Sequence, residues 1–374
     1  MTKYCLLVCL VLTACASPVG PVAPLKVDTS RVVRLDTGAA MPLPAQTITR
    51  ILSGSCLNEE KAAPDPILAA IHSESSNLFL MLGDNVYGDV HNGRYRKDDS
   101  SLTGLRASMM TLAKRDDFRR LRQRHPMMVT WDDHDFGRND AGGDFPYKQL
   151  AESLHESFWG LDKTEVGQRP GVYYSRRFGE NGRRTQVIML DTRFFRTPLT
   201  KTNQRGAKGK ERYLPSQDPD QDMLGSAQWR WLAQTLQEPA DLRIIASSVQ
   251  VLPADHGWES WSRLPASRAK LLEMLANNGA RAVVLLSGDR HHAFLYRSQI
   301  GDTTLIEMTT SAVNQSFRHR MQGKDTRERD KLQTSPGYSG PNYGSVQIDW
   351  GSRRVKLSIQ NEKREVVHSL FQAF

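Results

Sequence analysis

The chain has 374 residues, 39% of them hydrophobic, enough to bury the core of one large α/β domain or two smaller ones, which argues against a disordered or fibrous protein. Its 50 lysines and arginines outnumber 41 acids, and a formal charge of +9 suits anionic substrates or a negatively charged envelope surface. No zinc-finger spacing, RNP-type aromatic motif or basic helix accompanies that charge, so a dedicated nucleic-acid partner is disfavoured.

Residues 1–14 carry Lys3 and an apolar stretch from Cys5 to Leu12, too short for a permanent membrane span. Leu12-Thr13-Ala14-Cys15 has the small-residue pattern of a secretory cleavage site and resembles a bacterial lipobox, which implies a lipid anchor on Cys15. Ser17 is not the aspartate of an inner-membrane retention signal, so the expected location is the outer membrane, facing the periplasm. Cleavage there removes Cys5, Cys9 and Lys3, lowering the charge from +9 to +8, and leaves Cys56 as the one free thiol. An unpaired cysteine in an oxidising compartment needs a reason, and metal ligation is one. Residues 15–46, with prolines at 18, 21, 24, 42 and 44, read as an extended tether, followed by a folded domain over 47–374.

Beyond the tether, "ITRILSGSC" reads as a strand, "PDPILAAIHSE" as a helix opened by proline, "NLFLMLGDN" as a buried strand and "SLTGLRASMMTLAKRDDFRRLRQR" as one long helix. The strand "HPMMVTWDDHD" precedes a helix near 148–160, strands at "GVYYSRRF" and "RTQVIMLDTR", and a helix at "SAQWRWLAQTLQ". The strands "DLRIIASSVQV" and "RAVVLLSGDRHH" bracket the helix "ASRAKLLEMLANNG", and "TTLIEMTTSA", "GSVQIDW" and "VKLSIQN" close the chain as strands. This order predicts an α/β layered fold with mixed sheets. The polar stretches 201–212 and 318–331 interrupt it and read as solvated loops, whose lysines and arginines can recruit an anion if one of them covers the site.

Four times an apolar strand ends and metal-competent side chains follow at once: Cys56, then Asp84 and Tyr87, then Asp132, Asp133 and His134, then Asp289, His291 and His292. Ligands gather at the carboxyl ends of strands in open α/β sheets, so the four clusters converge on one place. A single such carboxylate is an ordinary turn or cap residue. So many together cost several kcal/mol in repulsion and desolvation unless cations compensate them. Thiolate, phenolate, imidazole and carboxylate form a mixed hard and soft donor set, suited to a trivalent or borderline metal beside a hard divalent one.

The succession G-S-C, G-D-x-x-Y, W-D-D-H-D, L-D-T-R, S-S-V-Q and G-D-R-H, spread over roughly residues 50 to 315, resembles the metallophosphoesterase superfamily and, within it, the PhoD-like (alkaline phosphatase D) family. The resemblance implies a layered αββα sandwich with two mixed β-sheets flanked by helices. It makes Asp84 a bridging carboxylate, Tyr87 a phenolate ligand of a ferric ion and Cys56 a thiolate ligand. Asp133, or Asp132 in its stead, takes the asparagine position before the active-site His134, and Asp289 and His291 complete the ligands. A binuclear or trinuclear centre of Fe3+ with Ca2+ is implied, with Mn2+ or Zn2+ as alternatives. Where the superfamily often carries an isolated histidine ligand, this chain offers Gln250 or His256.

Such a centre holds a bridging hydroxide for in-line attack on phosphorus, with His134 protonating the leaving oxygen or neutralising charge. Arg290, Arg138 and Arg193 are candidate phosphate contacts, because a guanidinium fork matches a phosphate edge. His292 is a further substrate-binding candidate, Trp258 a candidate wall for the leaving group, and core packing is expected for Trp258 or Trp261. The expected activity is hydrolysis of phosphomonoesters or phosphodiesters, with a small phosphate ester as substrate. The rival is an envelope lipoprotein that keeps the fold and binds an anionic ligand without catalysis. A serine hydrolase lacks its G-x-S-x-G elbow here.

Overall fold

The computed structural model describes Thr37 and residues 40–277, 279–280, 282–317 and 328–374. Residues 1–14, Cys15 and most of the tether therefore lie outside the described residues, as does 318–327 of the second polar stretch. In chain order the elements are β1 (Arg50–Gly54), α1 (Pro66–Ser73), β2 (Leu78–Leu82), a small hairpin of β3 (Val90–His91) and β4 (Arg94–Tyr95), α2 (Thr103–Lys114), α3 (Asp116–Arg124) and β5 (Met127–Thr130). There follow α4 (Asp133–Phe136), α5 (Lys148–Trp159), β6 (Tyr174–Phe178), β7 (Thr185–Met189), α6 (Gly225–Gln237), β8 (Leu242–Ala246), α7 (Pro265–Ala276) and β9 (Ala282–Ser287). The chain ends with β10 (Ala293–Ile300), β11 (Thr303–Thr310), β12 (Tyr343–Asp349), β13 (Arg354–Gln360) and β14 (Val366–Ala373).

One sheet has the order β14-β13-β12-β1-β2-β5, the other β10-β11-β9-β8-β7-β6. The period-two alternation of side chains places them face to face. Val187, Ile244, Val284 and Met308 of the second sheet share a core with Ile51, Leu78, Leu80 and Leu82 of the first. Their neighbours Ile188, Ile245, Val283 and Leu285 point the other way, packing under Trp229 and Leu232 of α6 and Leu271 and Leu275 of α7. The outer face of the first sheet is covered by α1, α2 and α3 through Leu68, Ile71, Leu112, Phe118 and Leu121. The layers run α, β, β, α, the sandwich that the sequence resemblance implied. Strands buried on both faces read as unbroken apolar runs, which explains their clear signal in the sequence.

One expectation needs correction, and two features go beyond the sequence reading. The single helix over 101–124 is two, because Arg115 takes an extended conformation (φ −72°, ψ 122°) that ends α2 and starts α3. Its buried guanidinium pairs with Asp117 and donates to the carbonyls of Glu59 and Lys61, tertiary bonds that a continuous helix would forgo. The closing strands also divide between the sheets: β10 and β11 join the second, β12 to β14 the first. Finally, β10 and β14 are strands that the sequence reading did not mark.

In each sheet the parallel strands share a direction: β1, β2 and β5 in one, β7, β8, β9 and β11 in the other. The carboxyl ends of β1, β2, β5 and β9 each lead directly into one of the four polar clusters.

Candidate metal centre

Backbone shape brings the clusters close. Cys56, Asp84, Asp289 and His291 all adopt positive φ (59°, 51°, 69° and 55°), a conformation uncommon outside glycine that costs free energy and gathers at functional sites. Gly83 precedes Asp84 at φ +99°, and a Cβ there would lie 2.5 Å from Cβ of Asp132, so only glycine lets the β2 and β5 ends meet.

The donor atoms form linked groups. Cys56, Asp84 and His291 offer atoms within 4.8 Å of one another; so do Asp84, Asp133 and His134, and so do Asp132, Asp133 and Asp289. Asp84 joins the first group to the second, and Asp133 joins the second to the third. Tyr87 closes the first: its hydroxyl lies 3.0 Å from Nε2 of His291 and 3.4 Å from Oδ2 of Asp84. Ser311 braces the same corner, 3.1 Å from the Cys56 sulfur and accepting the amide of His291 at 2.7 Å.

Buried polar atoms without partners show what the groups lack. Oδ1 of Asp84, Oδ2 of Asp132 and Oδ2 of Asp289 are buried and accept no hydrogen bond. Burial pushes all three carboxyls above the usual range, Asp132 to about 7, and neighbouring carboxylates add to each shift. Burial and the charge of Asp84 raise the Cys56 thiol as well. Oδ2 of Asp289 has only Arg290 at 3.7 Å; buried oxygens without hydrogen bonds normally find a partner, and here a metal cation is the partner that also cancels the charge. The donor set therefore fits a polynuclear metal centre held by Cys56, Asp84, Tyr87, Asp132, Asp133, Asp289 and His291. Asp133, Asp140 and Glu259 form a further acidic group, but arginines balance it: Arg212 binds Asp140, and Arg193 and Arg196 bind Glu259.

A cavity of about 490 Å3 opens over the groups, lined by Asp84, Tyr87, Asp133, His134, Asp289 and His291, with Arg290, Arg212 and Trp258 on its wall. His134 is oriented by Asp89, whose Oδ1 lies 2.5 Å from Nδ1, leaving Nε2 for the cavity. Burial disfavours the imidazolium, but Asp133, Asp84 and Asp89 outweigh it and raise the pKa of His134. Trp258 lies between two guanidinium groups, 4.9 Å from Arg290 and 5.3 Å from Arg212. Arg290 is also tethered by Glu328.

Several candidates stand elsewhere. Arg193 is fully buried beneath the cavity, where it binds Asp132 and Glu259, so it braces carboxylates and does not meet a substrate. His292 turns into the core against Phe294 and Phe317, with Nδ1 3.0 Å from the carbonyl of Arg290, and does not line the cavity. Arg138 pairs with Asp98 at 3.0 Å and borders a neighbouring cavity. Gln250 bonds Tyr296, Thr309 and His256, and neither it nor His256 lines the metal cavity. Trp261 is a core residue against Trp229. Sequence reasoning missed Asp89, Ser311 and Asp135; the last accepts the amides of Asn85 and Asp132 and so ties two of the ligand loops together. The second G-D pair, Gly88-Asp89, was the available signal for Asp89.

A family model described as PhoD-like phosphatase matches residues 52–359. The chain belongs to the PhoD-like phosphatase family. Within curated proteins it is similar to the alkaline phosphatase D of Bacillus subtilis (strain 168), 24% identical over 250 residues, which covers 58% of this chain and 42% of that protein. The chain thus matches about two fifths of the length of that relative. A solved structure of PhoD superposes with TM-score 0.66 at 18% identity, covering 89% of this chain and 70% of the other. The purple acid phosphatase PPD1 of yellow lupin superposes with TM-score 0.53 at 8% identity, over 88% of this chain and 54% of its own. Both likenesses concern the fold, a metallophosphoesterase-like sandwich, and the PhoD-like family match covers all four ligand clusters.

Proposed function

We propose that this PhoD-like chain is a metal-dependent phosphoesterase that hydrolyses phosphomonoesters or phosphodiesters by in-line displacement at phosphorus. The observation that carries the reading is the set of buried oxygens without hydrogen bonds on Asp84, Asp132 and Asp289, beside a cavity that has Arg290 and Arg212 on its wall. A bound metal centre would supply charge neutralisation and an activated water. The protein's own groups supply the rest. His134, held by Asp89, places Nε2 where a proton can pass to the leaving oxygen. Arg290 and Arg212, braced on Trp258, present guanidinium edges to phosphate oxygens. Arg193 keeps Asp132 in place from below.

The donors support Fe3+ with Ca2+: thiolate and phenolate beside Asp84 suit the trivalent ion, and the all-carboxylate group of Asp132, Asp133 and Asp289 suits the hard divalent one. Mn2+ or Zn2+ are the alternatives. The sequence Leu12-Thr13-Ala14-Cys15 supports anchoring through a lipid on Cys15, at the outer membrane facing the periplasm. Labelling with a radioactive fatty acid tests this, with label expected on the wild type and absent from Cys15→Ala. Purified protein assayed on p-nitrophenyl phosphate and its bis ester, before and after chelation, tests the activity. Hydrolysis that chelation abolishes supports the enzyme; phosphate-ester binding without turnover supports the non-catalytic lipoprotein.

A further inference from the structure

The metal cavity does not end at its own wall. It continues into a second cavity of about 440 Å3, and Tyr95, Asn139, Asp140 and Arg212 line both. Five cations border this second space: Arg96, Arg138, Lys201, Arg205 and Arg212. The three acids that border it are already engaged. Asp89 holds His134, Asp98 holds Arg138 at 3.0 Å, and Asp140 holds Arg212 at 2.6 Å and the Tyr213 hydroxyl at 2.7 Å. Among the described residues Arg96, Lys201 and Arg205 form no ion pair, and Lys201 and Arg205 are exposed.

The loop that carries them is solvated, as the sequence indicated, and is also organised by its own backbone hydrogen bonds. Lys201 bridges Tyr213 and Ala207 bridges Lys210, while the amides of Thr202 and Gly206 donate to the carbonyls of Arg212 and Glu211 at 2.9 and 3.0 Å. Arg212 and Tyr213 in turn donate to the Gly257 carbonyl, which fastens the loop beside Trp258. At the junction of the two spaces Tyr95 is 63% exposed, its hydroxyl fixed on Asn139 at 2.6 Å, so its ring is held as a face on which a substrate can lie.

We propose that the second cavity is a subsite for a second phosphate of the substrate, received by Lys201 and Arg205, while the scissile phosphate occupies the metal cavity and the group between them passes Tyr95. Lys201 and Arg205, with the likewise unpaired Arg96 bordering the same space, match the near-double negative charge of a phosphate monoester, and the arginine fork matches its oxygens. The preferred substrates are accordingly phosphoesters that bear a further phosphate. This rests on the phosphoesterase reading above, and the test separates the two.

The metal-loaded enzyme is given the p-nitrophenyl ester of thymidine 5′-phosphate and the same ester carrying a 3′-phosphate. The expected result is a KM lower by about tenfold for the 3′-phosphorylated ester, equivalent to one or two charge-assisted contacts, and shrinking as salt rises. In Lys201→Gln/Arg205→Gln that advantage disappears, while hydrolysis of the shorter ester persists. Equal KM values in the wild type, an advantage that survives in the double variant, or equal loss on both esters each overturns the subsite. If neither ester is hydrolysed, the phosphoesterase reading fails. Equilibrium dialysis with thymidine 5′-phosphate and thymidine 3′,5′-bisphosphate still decides the subsite: tighter binding of the bisphosphate that depends on Lys201 and Arg205 supports it, and equal binding overturns it.

Discussion

The phenolic oxygen of Tyr87 lies 3.0 Å from Nε2 of His291, across 204 residues of sequence. Tyr87 follows β2 of one sheet and His291 follows β9 of the other, so this contact marks where the carboxyl ends of the two sheets meet.

That corner predicts a colour. A phenolate bound to ferric iron absorbs visible light, so the purified protein is expected to show a visible charge-transfer band that Tyr87→Phe removes while the far-ultraviolet circular dichroism stays unchanged. A colourless wild type with full activity would withdraw the ferric assignment.

Asp89 predicts a rate effect without a binding effect. Its carboxylate orients His134 and does not line the metal cavity. In Asp89→Asn the kcat for phosphate-ester hydrolysis is expected to fall by about ten- to a hundredfold, within the range of a lost general acid, with KM little changed. Steady-state kinetics on the bis ester measures both.

Arg193 predicts a loss of stability. Its fully buried guanidinium binds Asp132 and Glu259, and removing it leaves buried Asp132 without its guanidinium and Glu259 with Arg196 alone. Arg193→Met is expected to destabilise the fold by about 3–5 kcal/mol, read from urea denaturation midpoints. An unchanged midpoint would show that the ion pairs contribute nothing net.

His155 predicts an acid-side dependence away from the metal groups. It is buried on α5 against Trp131 and Trp159, neither ring nitrogen has a partner, and burial lowers its pKa to about 3. The unfolded chain therefore binds this proton more readily than the folded one, and the contribution is intact above the unfolded pKa of about 6.5 and lost as pH falls toward the folded value. By about pH 5 the loss attributable to His155 is on the order of 2 kcal/mol. His155→Phe is expected to flatten the stability profile between neutral pH and that point, measured by denaturation at a series of pH values.

How much of this was visible in the sequence follows from where each residue stands. Asp84, Asp133 and Asp289 were legible because each interrupts an apolar run at its end, and strands buried on both faces make such ends sharp. Asp89 and Ser311 sit in loops whose meaning comes from partners far away in the chain. The break at Arg115 carries no glycine or proline, because buried bonds to Asp117 and to neighbouring carbonyls end the helix. Strand β14 was missed because Val366 and Phe371 remain exposed, leaving a weak apolar pattern at a sheet edge. Arg193 shows the opposite failure: L-D-T-R singled it out, but sequence alone does not say whether a guanidinium faces a substrate or the carboxylates beneath it, as it does here.

We propose that Cys56, Asp84, Tyr87, Asp132, Asp133, Asp289 and His291 together hold a cluster of metal ions. Elemental analysis of wild type and Asp84→Asn, purified side by side without added metal, tests it most directly, because Asp84 joins two of the donor groups. About two or more metal ions per wild-type chain are expected, with a clear loss in the variant. Wild-type protein that carries no metal yet hydrolyses phosphate esters in the presence of a chelator would contradict it.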